Sequence, residues 1–225
     1  MNIDRTAALL RVTDRPGRLV RVDQYLEAVM LRVTRQVQIE AKVIEVDLRD
    51  EFSAGIDWRS VLSGLAPTAA ATATTAPPSG RGVTLTLNTT DFRPLLKGLA
   101  TQGTVNVLSS PRIIAMNNEP TIMRAATEDS QSVTASLVVS LTAQISGDGI
   151  IHMNVNPSVI ERTNPATSAL GDQAVTTVRE VDTVVRVRQG ETIVIAGLMH
   201  TGADQKKTDL VILLTPTLVS SPGTR

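Results

Sequence analysis

The sequence predicts a mainly β protein with two or three short helices. Apolar and polar residues alternate with period two over long stretches, most regularly in residues 137–145 and 151–155, which is typical of strands with one buried face. Segments rich in Gly, Asn and Asp separate these stretches and predict tight turns. Apolar residues at helical spacing are found in residues 22–33 and 91–102.

The N-terminal residues predict the end of a small preceding domain. Residues 3–12 have the pattern of a last strand, which Pro16-Gly17 ends. The apolar residues that follow recur at i, i+3, i+4, i+7, i+8 and i+11, which places them on one helical packing face: Val22, Tyr25, Leu26, Val29, Met30 and Val33. We therefore divide the chain into residues 1–19, the end of that domain, residues 20–219, one β domain, and residues 220–225, a tail.

The first long strand changes its apolar face part-way along. Val37, Ile39, Ala41 and Val43 point one way, whereas the apolar residues from Ile44 onward have the opposite phase. A β-bulge at Val43-Ile44 would produce this change.

Residues 63–82 form a low-complexity tract of Ala, Thr, Pro and Gly with a single charge, Arg81. The composition fits a flexible surface loop. A helix is predicted over residues 91–102, with Gly103 where a C-terminal glycine would stop it.

The rest of the chain reads as strands. The hairpin with the clearest pattern spans residues 137–156, with its turn at Gly147-Asp148-Gly149. A second long hairpin joins residues 156–162 to 174–187. Further strands are predicted at residues 104–109, 112–116 and 121–125, the last two joined by an Asn117-Asn118 turn, and at 191–198 and 208–219.

Composition excludes several classes of function. Lys plus Arg and Asp plus Glu both number 22, so no polyanion such as nucleic acid is predicted as a partner. The chain has no Cys, which excludes disulfides, thiol catalysis and thiolate zinc sites. It has one Trp, one Tyr and two Phe, which is poor for a single-chain outer-membrane barrel with aromatic girdles.

The sequence contains no apolar run long enough to predict a transmembrane helix. It begins without the basic and apolar regions of a signal peptide. We expect the sequence to be an excised or engineered piece of a longer protein.

No catalytic, cofactor or metal site is predicted. His152 and His200 have neither a Cys nor a second His at ligand spacing. The acidic residues Glu45, Asp47, Asp50 and Glu51 are interleaved with Lys42 and Arg49, which favours a salt-bridged or lumen-facing surface over acid-base catalysis. Ser109-Ser110 lacks the context of a nucleophile elbow. We therefore do not expect an enzyme.

Several sequence blocks occur in an order that resembles a known family. Residues 105–124 read VNVLSSPRIIAMNNEPTIMR, residues 181–199 read VDTVVRVRQGETIVIAGLM, and residues 208–219 read TDLVILLTPTLV. Between and before them come QIEAKVIEVDL, FSAGIDW and LTAQISGDGIIHMNVNPSVIERT. In content and order these blocks resemble the C-terminal domain of secretins, the ring-forming outer-membrane channels of type II secretion and type IV pilus systems.

The resemblance implies a double-walled β-barrel ring of about a dozen or more copies, each contributing hairpins. Its partners would be other copies of the chain, outer-membrane lipid, and an exported protein or pilus in a full-length parent. No cofactor is implied. The resemblance also implies a location in the outer membrane of a Gram-negative bacterium. The barrel wall would include one face of the 137–156 hairpin: Leu137, Val139, Leu141, Ile151, Met153 and Val155. The alternative that stays open is a soluble β-rich structural module without pore activity.

Two departures from the family pattern suggest an open pore. Secretins carry a longer gate segment after the position of Met123-Arg124, where this chain has only residues 125–136, and a Pro- and Leu-rich rim segment where it has HTGADQKK. We expect the residual gate stub, with Glu128 and Asp129, to form the pore constriction. The family's outer-wall hairpins imply membrane-facing tips at Ala69, Ala70 and Ala71 and at Ala166 and Leu170.

Overall fold

The structure is a computed structural model that describes residues 2–7, 9–63, 71–75, 83–88, 92–128, 133–163, 175–201 and 206–219. It has three α-helices in these residues: α1 (Pro16–Val33), α2 (Trp58–Ser63) and α3 (Arg93–Ala100), with a 3₁₀ turn at Asp50–Phe52. The mainly β fold class is confirmed. Among the helices, α1 is longer than predicted, at 18 residues.

The strands of the described residues run through the chain in this order: β1 (Asn2–Asp4), β2 (Leu9–Arg11), β3 (Gln36–Leu48), β4 (Ala71–Thr75), β5 (Val83–Leu87), β6 (Gly103–Ser109), β7 (Arg112–Met116), β8 (Pro120–Glu128), β9 (Val133–Ile145), β10 (Ile150–Thr163), β11 (Val175–Glu180), β12 (Thr183–Arg188), β13 (Thr192–Thr201) and β14 (Lys207–Val219). They form a β1–β2 pair and two larger sheets.

The five-stranded sheet contains both predicted hairpins. Its order is β11-β10-β9-β8, with β12 also paired to β10. The antiparallel pairing of β9 and β10 runs from Ile145 and Ile151 to Val133 and Thr163, and the turn between them uses Gly149 at φ 79°. Because β10 pairs with β12 along its first half and with β11 along its second half, the second predicted hairpin is also confirmed.

The seven-stranded sheet has the order β4-β5-β13-β14-β3-β6, with β7 also paired to β3. Strand β3 lies in its interior and pairs with β14 without interruption from Gln36 to Asp47. This sheet therefore brings together strands from the two ends of the β domain. Its strands β4, within the low-complexity tract, and β5 were not predicted from composition or alternation.

Strand β3 contributes to two hydrophobic cores, one on each face. Its first half buries Val37 to Val43 at alternate positions in the core shared with the five-stranded sheet. Its second half buries Ile44, Val46 and Leu48 on the opposite face, together with residues of α2 and α3. The change of apolar phase in the sequence thus arises because different elements cover the two faces of one regular strand.

The register shift predicted at this position is also present, in the pairing with β6. Val43 and Ile44 pair with Ser109 and Val107, so the extra residue is Leu108. The prediction placed the bulge at the correct point of β3, but the extra residue belongs to the neighbouring strand.

The predicted role of Gly103 as a helix stop is wrong. Helix α3 ends at Ala100, and the N–H and Oγ1 of Thr101 both donate to the carbonyl oxygen of Gly98. Gly103 instead begins β6, where a Cβ atom would clash with the backbone carbonyl oxygen of Asp47. Glycine is required there because two backbones approach closely.

Helix α1 begins at Pro16, so the expected domain boundary at residues 19 and 20 falls inside the helix. Proline suits this position because the first turn of a helix needs no N–H from it. The predicted packing face is not covered within the described residues, since no residue of α1 is buried and Tyr25 and Met30 are 69% and 65% exposed. In the described part of the chain, none of the helices combines the length and apolar character needed to cross a membrane.

Candidate functional site

The six predicted wall residues all lie in the core between the two large sheets. They occupy alternate positions of β9 and β10, and each is at most 8% exposed: Leu137, Val139, Leu141, Ile151, Met153 and Val155. Residues of β3, β13 and β14 from the seven-stranded sheet share this core. The two sheets therefore pack face to face as two layers, as β-sandwich sheets do.

The other face of the five-stranded sheet is mostly polar along its two central strands, and over residues 136–145 and 150–160 it carries no Lys, Arg, Asp or Glu. The polar side chains alternate with the buried ones and are half-buried or exposed: Ser140, Thr142, Gln144, Asn154, Asn156 and Ser158. Thr142 pairs across strands with Asn154, and Gln144 pairs with His152. We call this surface the free face. Hydroxyl and amide groups keep such a face hydrated without attracting one sign of charge.

Among the described side chains, the fixed charges of the free face lie on its edge strands. Arg124 lies on β8, while Arg186 and Arg188 lie on β12 at the opposite edge. At the junction of β11 and β12, the Nδ2 of Asn156 donates to the carboxylates of Glu180 and Asp182. None of these residues was a candidate in the sequence analysis, although Glu180, Asp182 and Arg186 lie in residues 174–187, which it predicted as part of the second hairpin.

The predicted gate stub is mostly strand. Strands β8 and β9 pair as far as Glu128 and Thr134, so only residues 129–132 connect them. Glu128 is the last residue of β8, and Asp129 lies outside the described residues.

Only one of the five predicted membrane-facing residues is described. Ala71 begins β4 and pairs with Leu87, at the end of the β4–β5 hairpin farthest from the connection at 76–82. Ala69, Ala70, Ala166 and Leu170 lie outside the described residues.

The two predicted membrane-facing segments are attached to different sheets. The β4–β5 hairpin belongs to the seven-stranded sheet, whereas the 164–174 connection joins β10 to β11 in the five-stranded sheet. Thr163 pairs with both Val133 and Val175, so this connection starts beside the 129–132 connection.

The residues considered for catalysis do not converge. Glu45 and Asp47 lie on β3, where Asp47 Oδ1 accepts a hydrogen bond of 3.2 Å from Thr208 Oγ1, and Asp50 and Glu51 lie in the 3₁₀ turn beyond the strand. In the part of the chain that the structure describes, no three His, Asp or Glu side chains come together as metal ligands.

A family model links this architecture to known proteins. Residues 98–208, from the end of α3 to the start of β14, match the secretin family, described as bacterial type II and III secretion system protein. This part of the chain is a secretin domain. Secretins are transport channels of the Gram-negative outer membrane rather than enzymes.

One curated relative matches most of the chain. The chain is 26% identical over 237 residues to competence protein E of Haemophilus influenzae, an alignment that covers 89% of this chain and 52% of that protein. The chain thus spans about half the length of that curated relative.

Solved structures show the same fold at low sequence identity. The type II secretion system secretin XcpQ from Pseudomonas aeruginosa superposes with a TM-score of 0.52 at 12% identity, covering 98% of this chain and 67% of that one. The Klebsiella pneumoniae outer-membrane complex of PulD, PulS and the PulC HR domain gives a TM-score of 0.51 at 14% identity, covering 98% and 46%.

Proposed function

We propose that this secretin domain forms the wall of a homo-oligomeric export channel, in which the free face of the five-stranded sheet lines the lumen. In this arrangement the seven-stranded sheet is the outer layer. Each copy contributes one sector of a double-walled ring of about a dozen or more copies.

The observation that carries the proposal is the contrast between the outward faces of the two sheets. The outward face of the seven-stranded sheet is covered by α2 and α3 over its second core. Among the described residues no helix covers the free face, and the central strands of this face carry mostly hydroxyl and amide groups. Its edge strands also expose Ile122, Val178 and Val184. A mostly polar, hydrated central surface suits the passage of a large cargo, because it does not hold apolar surfaces strongly.

A ring also accounts for the sheet edges. In the five-stranded sheet β8 lies at one edge and β11 and β12 at the other. Unpaired edges expose backbone N–H and C=O groups, and pairing with the next copy would satisfy them on both sides.

We further propose that the lumen is constitutively open. The 129–132 connection has four residues, and a fully extended segment of that length spans only about 14 Å. That reach is short compared with a lumen that must admit folded protein or a pilus fibre. Repeated around a ring, Glu128 and Asp129 would make a narrow acidic band.

The outer layer is proposed to meet the membrane through the low-charge tract around Ala69 to Ala71. This tract adjoins β4 of the seven-stranded sheet, and its small side chains suit the bilayer boundary. We propose Ala166 and Leu170 as a second contact with the membrane.

Replacing Ala69, Ala70 and Ala71 with aspartates should abolish insertion into liposomes while rings still form. Unchanged insertion would contradict the proposed membrane contact.

The test of the wall assignment is a matched pair of substitutions on adjacent residues of β9. Leu141 is 2% exposed and faces the core between the sheets, whereas Thr142 is on the free face. Leu141→Asp should prevent ring assembly, because burying an unpaired carboxylate costs roughly 2–5 kcal/mol per copy. Thr142→Asp should leave rings intact.

Electron microscopy of detergent-extracted protein provides the readout. We expect closed rings for the unsubstituted chain and for Thr142→Asp, and no rings for Leu141→Asp. Stable monomers of the unsubstituted chain in mild detergent would contradict the channel proposal and favour a soluble structural module.

A further inference from the structure

A cavity of about 610 Å³ lies between the seven-stranded sheet and the segment that precedes α2. Apolar side chains form much of its wall, among them Ile56, Trp58, Val83 and Met199, and Asp209 and Lys207 supply its charged groups. This volume lies within the range of small-ligand pockets. Trp58 is the only tryptophan of the chain.

The carboxylate of Asp209 is held at a bulge in β13. The pairing of β13 with β14 shifts between Ile195 and Leu198, and Gly197 adopts φ 95°. The N–H of Gly197 donates to Asp209 Oδ1 at 3.1 Å, and the N–H of Leu210 also donates to this carboxylate. Asp209 is 2% exposed, so it is a desolvated acid that faces the cavity.

The neighbouring cations offset this desolvation only in part. Lys207 lines the same cavity, but its Nζ donates to the carbonyl oxygen of Ser53 at 2.8 Å. The guanidinium of Arg179 donates to the carbonyl oxygen of Leu198 at 2.7 Å. Burial raises the pKa of Asp209 to about 6, although the two N–H groups and Arg179 act in the opposite direction.

A ligand that fits this cavity has a cation for Asp209 and an apolar stem for the wall. A buried carboxylate gains most from a partner that brings a positive charge into contact with it. Trp58 and Met199 offer a face against which a methylene chain can pack, and the ring of Trp58 also attracts cations. A phosphate or carboxylate ligand would be repelled by Asp209.

We propose that this cavity binds an alkylammonium group, with the ammonium against the Asp209 carboxylate and the alkyl chain along Trp58 and Met199. Two sources share this chemistry, a free amine and the side chain of a lysine presented by another polypeptide. The site belongs to a single copy of the chain, so it does not depend on the channel proposal.

Fluorescence of Trp58 reports binding directly, because the protein has no other tryptophan. n-Hexylammonium chloride should change the emission saturably, while n-hexanol of the same length should not. Asp209→Asn keeps the size of the side chain and removes its charge, and it should weaken n-hexylammonium binding at least tenfold. Equal saturation by n-hexanol, or undiminished binding to Asp209→Asn, would overturn the proposal.

A second variant keeps the test decisive if Asp209→Asn does not fold. Met199→Lys places a tethered ammonium in the cavity while leaving Asp209 in place, and it should exclude n-hexylammonium. Unchanged n-hexylammonium binding to a folded Met199→Lys protein would also contradict the proposal.

Two peptides then distinguish the sources of the ligand. Acetyl-Gly-Lys-Gly-amide should saturate the site if a lysine of a polypeptide is accepted, whereas the same peptide with norleucine should not. Saturation by n-hexylammonium alone assigns the site to free amines and also supports the proposal. Saturation by the norleucine peptide would overturn it.

Discussion

Asp209 makes the stability of the fold depend on pH in an unusual direction for a carboxylic acid. Its pKa is raised from 3.8 to about 6 because burial disfavours the charged form. Between these two values the folded state binds more protons than the unfolded state, so this residue lowers stability as pH rises from 4 to 6. Above pH 6 its cost is on the order of 3 kcal/mol.

We therefore expect Asp209→Asn to change the free energy of unfolding in a pH-dependent way. Relative to the unsubstituted protein, the variant should gain stability progressively from pH 4 to pH 7, because it removes the cost of ionising a buried acid. Urea unfolding at pH 4.5, 6 and 8 measures this. The informative quantity is the change of this stability difference with pH. Its absolute value also contains a second effect, because the amide NH₂ group cannot accept the hydrogen bond that one carboxylate oxygen accepts from the N–H of Gly197 or Leu210.

Asp148 provides a matched control. The N–H of Ile150 lowers the pKa of this carboxyl in the β9–β10 turn. It therefore contributes stability that is present at neutral pH and is lost only as pH falls below 3.8 toward its folded value. Asp148→Asn should give a difference that is flat between pH 5 and 8. A flat difference for Asp209→Asn as well would contradict the assignment of the buried charge.

At the scale of elements, the β8–β9 connection decides whether the pore is gated. Exchanging Glu128 and Asp129 for asparagine should reduce a mild cation preference without closing the pore, because an acidic band would lose its charge. The reversal potential of rings in a planar bilayer under a salt gradient measures this preference. Glu119→Gln, near the opposite end of β8, serves as the control and should leave the potential unchanged.

Rings that insert but remain shut would contradict the open-pore proposal. If the rings conduct and exchanging both Glu128 and Asp129 leaves the cation preference unchanged, the 129–132 connection is not the pore constriction. Selectivity would then be set elsewhere on the free face, where Arg124, Glu180 and Arg186 supply the fixed charges.

The elements predicted most accurately from the sequence are those in which the hydrophobic alternation and the turn residues indicate the same structure. The 137–156 hairpin was predictable because strict alternation flanks a turn of two glycines and an aspartate. The burial of the six residues proposed for the barrel wall followed from the same alternation, since one face of each strand had to be buried. The predicted packing face of α1 was equally regular in the sequence, but periodicity does not show whether another surface packs against that face.

Other features depended on long-range pairing and could not be predicted locally. Gly103 has the sequence position of a helix stop, but its close approach to Asp47 arises only when β6 pairs with β3. Asp209 follows a polar link in the sequence, and its burial depends on the bulge at Gly197 in a different strand. The Asp209 cavity is formed by four separate parts of the chain and has no local sequence signal.

At the scale of the whole molecule, two sheets share one core, and in the described part of the chain helices cover the outward face of only one of them. A single copy therefore presents the free face to solvent. In a ring, the free faces of all copies would join into one continuous hydrated surface. This surface is the central feature of the channel account.

Placing a bulky group on the free face of assembled rings tests most directly whether this face lines the lumen. The chain has no cysteine, so Asn154→Cys on β10 introduces a single reactive thiol opposite Thr142. Ser60→Cys, on the exposed side of α2, is the control. The measurement is single-ring conductance before and after reaction with a polyethylene glycol maleimide.

If the free face lines the lumen, conductance falls sharply for Asn154→Cys and stays unchanged for Ser60→Cys. Complete modification of Asn154→Cys with no loss of conductance would show that the free face does not line the lumen.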